Sequence, residues 1–152
     1  MILISSCLAG INCKWSGKNN LHPVFETLVN SGKAIPICPE QMGGLTTPRE
    51  PAEIIKDETG VLKVVTKNGI DVTEQYILGA ERALAIAKAL GIKTAILQSR
   101  SPSCGRGTVY DGTFSKNLIL GNGITAELFI KNGIEVFSSE DYLRQFFKSQ
   151  VE

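Results

Sequence analysis

The chain predicts a single α/β domain over residues 1–152, with a short, mostly parallel, Rossmann-like sheet flanked by helices and its site at the carboxyl edge of the strands. Two observations carry this. Four short apolar runs, Ile2-Leu3-Ile4, Ala34-Ile35-Pro36-Ile37, Thr94-Ala95-Ile96-Leu97 and Ile134-Glu135-Val136-Phe137, read as buried strands. The stretches between them hold helical patterns closed by glycine, and strands alternating with helices build parallel sheets through right-handed crossovers. No repeat, low-complexity tract or linker breaks the alternation.

In order, Ile2-Leu3-Ile4 runs into a long polar loop from Ser5 to Asn20 that contains Gly10 and Gly17. A long loop directly after a first strand is uncommon unless it is functional. Pro23 suits the first turn of a helix from Val24 to about Ser31, closed by Gly32. Pro36 donates no ladder hydrogen bond, so the second strand is expected to be short or irregular there. Residues 39–51 form a loop holding Gly43-Gly44 and three of the six prolines. Ala52–Ile55 and Val61–Thr66 flank Asp57-Glu58-Thr59-Gly60 as a hairpin. Asp71 or Thr73 caps a helix whose stripe is Tyr76, Ile77, Ala80, Ala83, Leu84, Ala87 and Leu90, with Gly91 as its stop. After the third strand come a loop at 99–107 and a second rim loop, Val109 to Phe114. Asn122-Gly123 opens a helix from about Ile124 to Lys131, and Ser139-Glu140-Asp141 caps another from about Tyr142 to Lys148.

Sixteen basic and fifteen acidic residues leave a formal charge of +1, which excludes a broad basic face for duplex nucleic acid. With 43% hydrophobic and 20% charged residues, global disorder is excluded too. No apolar run approaches the ~20 residues that span a bilayer. The first residues lack a positive segment and a long apolar run, so a signal peptide is not expected and the protein is expected in the cytoplasm. Four cysteines in a reducing compartment point away from disulfides, toward metal binding, a nucleophilic thiol, or inert buried side chains.

Cys7, Cys38 and Cys104 share a position class, since each follows an apolar strand. In a parallel sheet those ends lie along one edge, so thiols remote in sequence meet there. Convergent thiolates select zinc, copper(I) or an iron–sulfur cluster, although the paired Cys-x-x-Cys spacing of zinc sites and the compact ferredoxin spacing are both absent. The plainer account makes them small buried apolar residues. Against it, Cys38 and Cys104 lie beside proline and glycine, which shape backbone rather than fill a core. Three thiolates on a [4Fe-4S] cluster would leave one iron with an open position, able to act as a Lewis acid toward a soft donor such as sulfur. Cys13 stands apart, six residues into the first loop.

Ser5-Ser6-Cys7-Leu8-Ala9-Gly10, Cys38-Pro39-Glu40 with Gly43-Gly44-Leu45, Pro48-Arg49-Glu50-Pro51, Ser101-Pro102-Ser103-Cys104-Gly105 and Tyr110-Asp111-Gly112-Thr113-Phe114 together resemble the thiouracil desulfurase family, in order and over nearly the whole chain. The resemblance implies a [4Fe-4S] enzyme that takes sulfur from a thiolated pyrimidine, leaving the oxo form and sulfide without net redox change. It implies three cluster cysteines, matched here by Cys7, Cys38 and Cys104, with Cys13 a bystander or occasional fourth ligand. A cluster of that kind is expected to be lost in an aerobic preparation.

In that picture Glu40, two residues after a cluster ligand, deprotonates the attacking water; its plainer account is a solvated rim charge or a helix-cap acid. Ser101 and Ser103 flank Pro102, and the resemblance favours Ser101 as the hydroxyl that contacts the pyrimidine or relays a proton. The alternative for each is a turn serine bonding its own backbone. Arg49 and Arg106 are candidate phosphate ligands for a nucleotide substrate, against solvated loop charges. Asp111 is a substrate-binding candidate against a plain turn residue, and Trp15 and Tyr110 are candidates for stacking on a base. The expected partner is a small thiopyrimidine as base, nucleoside or nucleotide, with no membrane. His22, the sole histidine, precedes Pro23 as a helix-entry residue and gives little support to Ser-His or Cys-His chemistry. The competing functions are a zinc- or thiol-dependent small-molecule enzyme and a non-catalytic α/β binding module.

Overall fold

The computed structural model of the chain describes residues 1–151. Its elements run β1 (Ile2–Ser5), a 3-10 turn (Ser6–Ala9), α1 (Pro23–Asn30), β2 (Ala34–Ile37), α2 (Pro39–Met42), β3 (Ala52–Lys56), β4 (Leu62–Thr66), α3 (Thr73–Leu90), β5 (Thr94–Leu97), β6 (Thr108–Tyr110), β7 (Leu118–Leu120), α4 (Ile124–Lys131), β8 (Glu135–Ser138) and α5 (Ser139–Val151).

The central sheet is parallel, in the order β2-β1-β5-β8. Period-2 alternation sends neighbouring side chains to opposite faces. Leu3, Ala95, Leu97 and Val136 meet Ala83, Leu84 and Ala87 of α3 and Ala126 and Phe129 of α4 on one side. Ile4 and Ile96 meet Phe25 of α1 and Tyr142 and Leu143 of α5 on the other. Phe25 and Phe129 are fully buried, and truncating either to alanine is worth about 3–5 kcal/mol. Pro36 pairs opposite Ile4 without a break, so of the two expectations the second strand meets the first: it is short, at four residues, and regular. It lies at the sheet edge, where a missing donor is tolerated.

Chain order reverses between β1 and β5: β2 was added on one side of β1, and β5 and β8 on the other. The carboxyl ends of β1 and β5 therefore flank a topological switch point, where open α/β sheets form their crevice. Two hairpins rise around it, β3–β4 and β6–β7, each antiparallel. Ile54 and Val64 of the first pack with Val72 and Tyr76 into a separate apolar cluster.

Four short elements are new: the 3-10 turn, α2, β6 and β7. Pro39 begins a one-turn helix, α2, directly after Cys38. Leu118–Leu120 forms β7 with all three side chains exposed. The cap of α3 also differs: Val72 holds the cap position, while Asp71 accepts from the Thr73 amide at 2.9 Å, and the Thr73 hydroxyl accepts from the Val64 amide at 2.9 Å.

Candidate active site at the carboxyl edge of the sheet

A pocket of about 430 Å³ opens at the switch point and draws its wall from the ends of β1, β2, β5 and β6 and the start of β3. All four cysteines line it, and all four are free thiols. Cys7 lies on the 3-10 turn after β1, and its Sγ is 3.8 Å from Gln98 Oε1, just past β5. The same oxygen accepts from Asn20 Nδ2 at 3.0 Å, so Gln98 ties both ends of the long first loop to the sheet. Cys38 sits at the start of α2, with Sγ 3.8 Å from the Cys13 carbonyl oxygen. Cys104 is held by the Ser101–Gly105 turn, which rests on the start of α4 through Ile124 N–H to the Pro102 carbonyl at 2.9 Å and Thr125 N–H to the Ser103 carbonyl at 2.8 Å.

Cys13, Cys38 and Cys104 resist ionisation. Hydrogen bonding with Cys13, then burial and the charge of Glu40, push the Cys38 thiol well up. Burial, then Glu40, does the same to Cys104. For Cys13 the hydrogen bond with Cys38 pulls down, but the bond with Cys7, burial and the Cys7 charge outweigh it, and its pKa rises from 9.0 to about 11. Crowded sulfurs that suppress one another's charge are what a soft cation relieves, because it takes them as thiolates. Among the described residues no three ligand-type side chains close on one point as for a single ion. What the four sulfurs surround is a space, and this donor set fits a polynuclear iron–sulfur group.

Glu40 enters on the first turn of α2, two residues beyond Cys38. Its Oε2 accepts from Arg49 Nη2 at 2.9 Å, and the two side chains are only 15% and 8% exposed. Arg49 also donates to the carbonyls of Cys13 at 3.0 Å and Thr46 at 3.2 Å and to Thr47 Oγ1 at 3.1 Å. Burial works against its charge, but Glu40 outweighs that and raises its pKa further. Arg49, a candidate for phosphate contact or a solvated loop charge, lies in the pocket wall with its guanidinium hydrogen-bonded to the protein. It joins the carboxylate to the Cys13 loop.

The position of α2 follows from two glycines. A Cβ on Gly43 would collide with the Gln75 carbonyl, and a Cβ on Gly79 with the Pro39 carbonyl. This reciprocal contact brings α2 flat onto α3 and sets Cys38 and Glu40 against Tyr76, which also lines the pocket.

Ser101 is in the wall, and its Oγ accepts from the amides of Ser103 at 3.1 Å and Cys104 at 3.0 Å. Ser103 is not among the lining residues. Its side chain is 0% exposed and pairs with Thr125 Oγ1 at 2.8 Å, a core contact rather than a substrate contact. Arg106 lies instead in an open groove between α4 and α5, and Asp111 is at the β6–β7 hairpin, where its carboxylate accepts from the Thr113 amide and hydroxyl. The substrate-contact candidates Ser103, Arg106 and Asp111 are therefore not among the residues lining this pocket: Thr125 holds Ser103 in the core, Arg106 faces the second groove and Thr113 holds Asp111 in its turn. Trp15 and Tyr110 do line the pocket, and Trp15 is 50% exposed.

Several lining residues carried no advance signal. Glu53 is buried and its Oε1 accepts from the amides of Gly112 at 3.0 Å and Phe114 at 3.1 Å, which pins the second rim loop. Gly112, at φ +92°, lets that loop lie on the Ile54 carbonyl, where a Cβ would come within 2.8 Å. Cys13, Asn20, Gln98 and Tyr76 were likewise not given a site role from spacing; for Cys13 the one available clue was a fourth cysteine in an unusually long loop.

Residues 2–141 match the model of the 2-thiouracil desulfurase family. The chain is 46% identical over 146 residues to the uncharacterized protein YbbK of Bacillus subtilis (strain 168), covering 93% of this chain and 97% of that one. It is similar to the solved structure of the [4Fe-4S]-dependent thiouracil desulfidase TudS, with a TM-score of 0.85, 37% identity and 99% and 98% of the two chains covered.

Proposed function

The chain belongs to the 2-thiouracil desulfurase family, and from that premise we propose that it is an iron–sulfur-dependent enzyme converting thiouracil to uracil and sulfide by hydrolysis. The observation that carries this reading is one pocket lined by four free thiols, with a buried, arginine-held carboxylate in the same wall.

Cys7, Cys38 and Cys104 are the proposed cluster ligands. Each is fixed by a different strand end, and Cys13 is their neighbour. When bound, a [4Fe-4S] group with one iron lacking a protein ligand supplies a soft Lewis acid for the thiocarbonyl sulfur. The protein does the rest. Glu40, oriented by Arg49, takes a proton from water as the water oxygen bonds to the ring carbon. The carbon–sulfur bond then breaks, the ring keeps the oxygen, and sulfur leaves as sulfide with no electron gained or lost. Ser101 has a defined part. A hydroxyl offers one donor and two acceptor sites, and both acceptor sites are filled by the Ser103 and Cys104 amides. Its own proton is left for the pocket, where it hydrogen-bonds the departing sulfur or the pyrimidine edge.

The partner is a small thiouracil-type molecule. Trp15 and Tyr110 at the rim favour a flat ring, free or with its sugar directed outward. No helix among the described residues is long and apolar enough to cross a membrane. Four free thiols suit a reducing compartment, which supports a cytoplasmic enzyme.

Anaerobic reconstitution tests the reading. About four irons and four sulfides per chain, with uracil formed from 2-thiouracil, are expected. Cys7→Ser, Cys38→Ser and Cys104→Ser should each lose the cluster, while Cys13→Ser keeps it. A colourless protein that still forms uracil would overturn the proposal.

A further inference from the structure

Tyr76 is a nearly buried polar side chain in the pocket wall that the mechanism leaves unused. It is 3% exposed, and its ring packs with Ile54, Val64 and Val72 beneath the β3–β4 hairpin. The Gly43–Gly79 contact brings its helix against α2, so the phenol lies within the fields of Glu40, Arg49, Cys104 and Cys38. Its hydroxyl takes no hydrogen-bond partner from the protein among the described residues. No fully buried side-chain oxygen or nitrogen among those residues is left unpaired, so that hydroxyl reaches the pocket itself. Burial, then the charge of Glu40, raises its pKa, which keeps it an O–H donor. A nearly buried phenol that faces a polar cavity without a partner is half of a hydrogen bond whose other half is a ligand.

We propose that Tyr76 is a substrate-binding residue whose hydroxyl donates to the exocyclic oxygen that 2-thiouracil retains, selecting a ring with a carbonyl over a bare thiopyrimidine. The inference rests on the desulfurase reading and adds the group that sets its specificity. A site built to hydrogen-bond one substrate atom discriminates against an analogue lacking it, because the site's own polar group is then left unpaired.

The test is Tyr76→Phe, which removes one oxygen and keeps the packed ring. Cluster-loaded wild type and variant are compared for iron content, thermal midpoint, and calorimetric affinity for uracil and for pyrimidine-2-thione, which lacks the exocyclic oxygen. Iron content and midpoint should match. Affinity for uracil should fall about tenfold, and kcat/KM for 2-thiouracil should fall by a similar factor through KM, with pyrimidine-2-thione binding unchanged. Uracil affinity within about twofold of wild type overturns the assignment, as does an equal loss for both ligands, which would mark a packing role. A wild-type enzyme that forms no uracil from 2-thiouracil overturns the desulfurase reading together with this one. Normal turnover in both proteins overturns the Tyr76 assignment alone.

Discussion

Replacing Arg49 by methionine isolates the ion pair on which the reacting carboxylate depends. Methionine keeps the length and apolar stem of the side chain but leaves Glu40 facing a wall with no cation. The pair is 8% and 15% exposed, so it is not a screened surface contact. Breaking a buried pair from one side costs about 3–5 kcal/mol, because the remaining charge stays desolvated. Glu40 borders an open pocket that admits water, so the lower end applies, about 3 kcal/mol. For a chain of this length that lowers the melting midpoint by roughly 6–12 °C. Removing both charges in Glu40→Gln/Arg49→Met should recover about 2 kcal/mol relative to the sum of the single changes. Arg49→Lys should fall between, since one ammonium cannot span Glu40 and the Cys13, Thr46 and Thr47 oxygens together. Urea unfolding of the metal-free, reduced protein gives these numbers without interference from cluster loss. A single variant within about 0.5 kcal/mol of wild type, or single costs that simply add, would refute the argument.

Glu40→Gln should keep its iron while turnover of 2-thiouracil falls by about 10²–10⁴, measured under substrate saturation. Gly79→Ala places a methyl against the Pro39 carbonyl and should cost about 1–3 kcal/mol in urea unfolding, with a matching loss of iron uptake as α2 is displaced from α3. Metal-free protein should lose stability as pH rises. Below 9.0 the Cys13 thiol is protonated in both states; above it only the unfolded chain releases the proton, until the folded thiol follows at about 11. The loss across that window should be smaller in Cys13→Ser, with Cys38 and Cys104, whose thiols are also raised, supplying what remains. Arg106→Ala, in the groove outside the pocket, should leave kcat/KM for the free base within about twofold.

The strands of the central sheet were readable because each is a compact, largely apolar run, with the central β1 and β5 buried over three of their four residues. Pro39 is a favourable first residue of a helix, yet α2 lasts one turn and its position is set by Gly43 against Gln75, a tertiary contact. Leu118–Leu120 shows no alternation because β7 is exposed on both sides, so only its pairing with β6 defines it. In the site, Cys7, Cys38, Cys104 and Glu40 were marked by strand ends, proline and glycine, Ser101 was favoured by the family resemblance, and all five line the pocket. Ser103 was indistinguishable from Ser101 in sequence because Thr125, which captures it, lies on a helix far along the chain. Gln98, Glu53 and Tyr76 look like ordinary members of a loop, a strand and a helix; their parts arise when the two hairpins fold over the sheet edge.

The thiol-lined crevice also bears on how the enzyme is made. A short cysteine-rich loop can seize iron while a chain is still emerging from the ribosome. Here the sulfurs come from three separate strand ends, and the last is presented only once β5 has paired with β1 and the following turn has seated on α4. The four thiols are therefore neighbours only in the folded chain, and unfolding scatters them along the sequence.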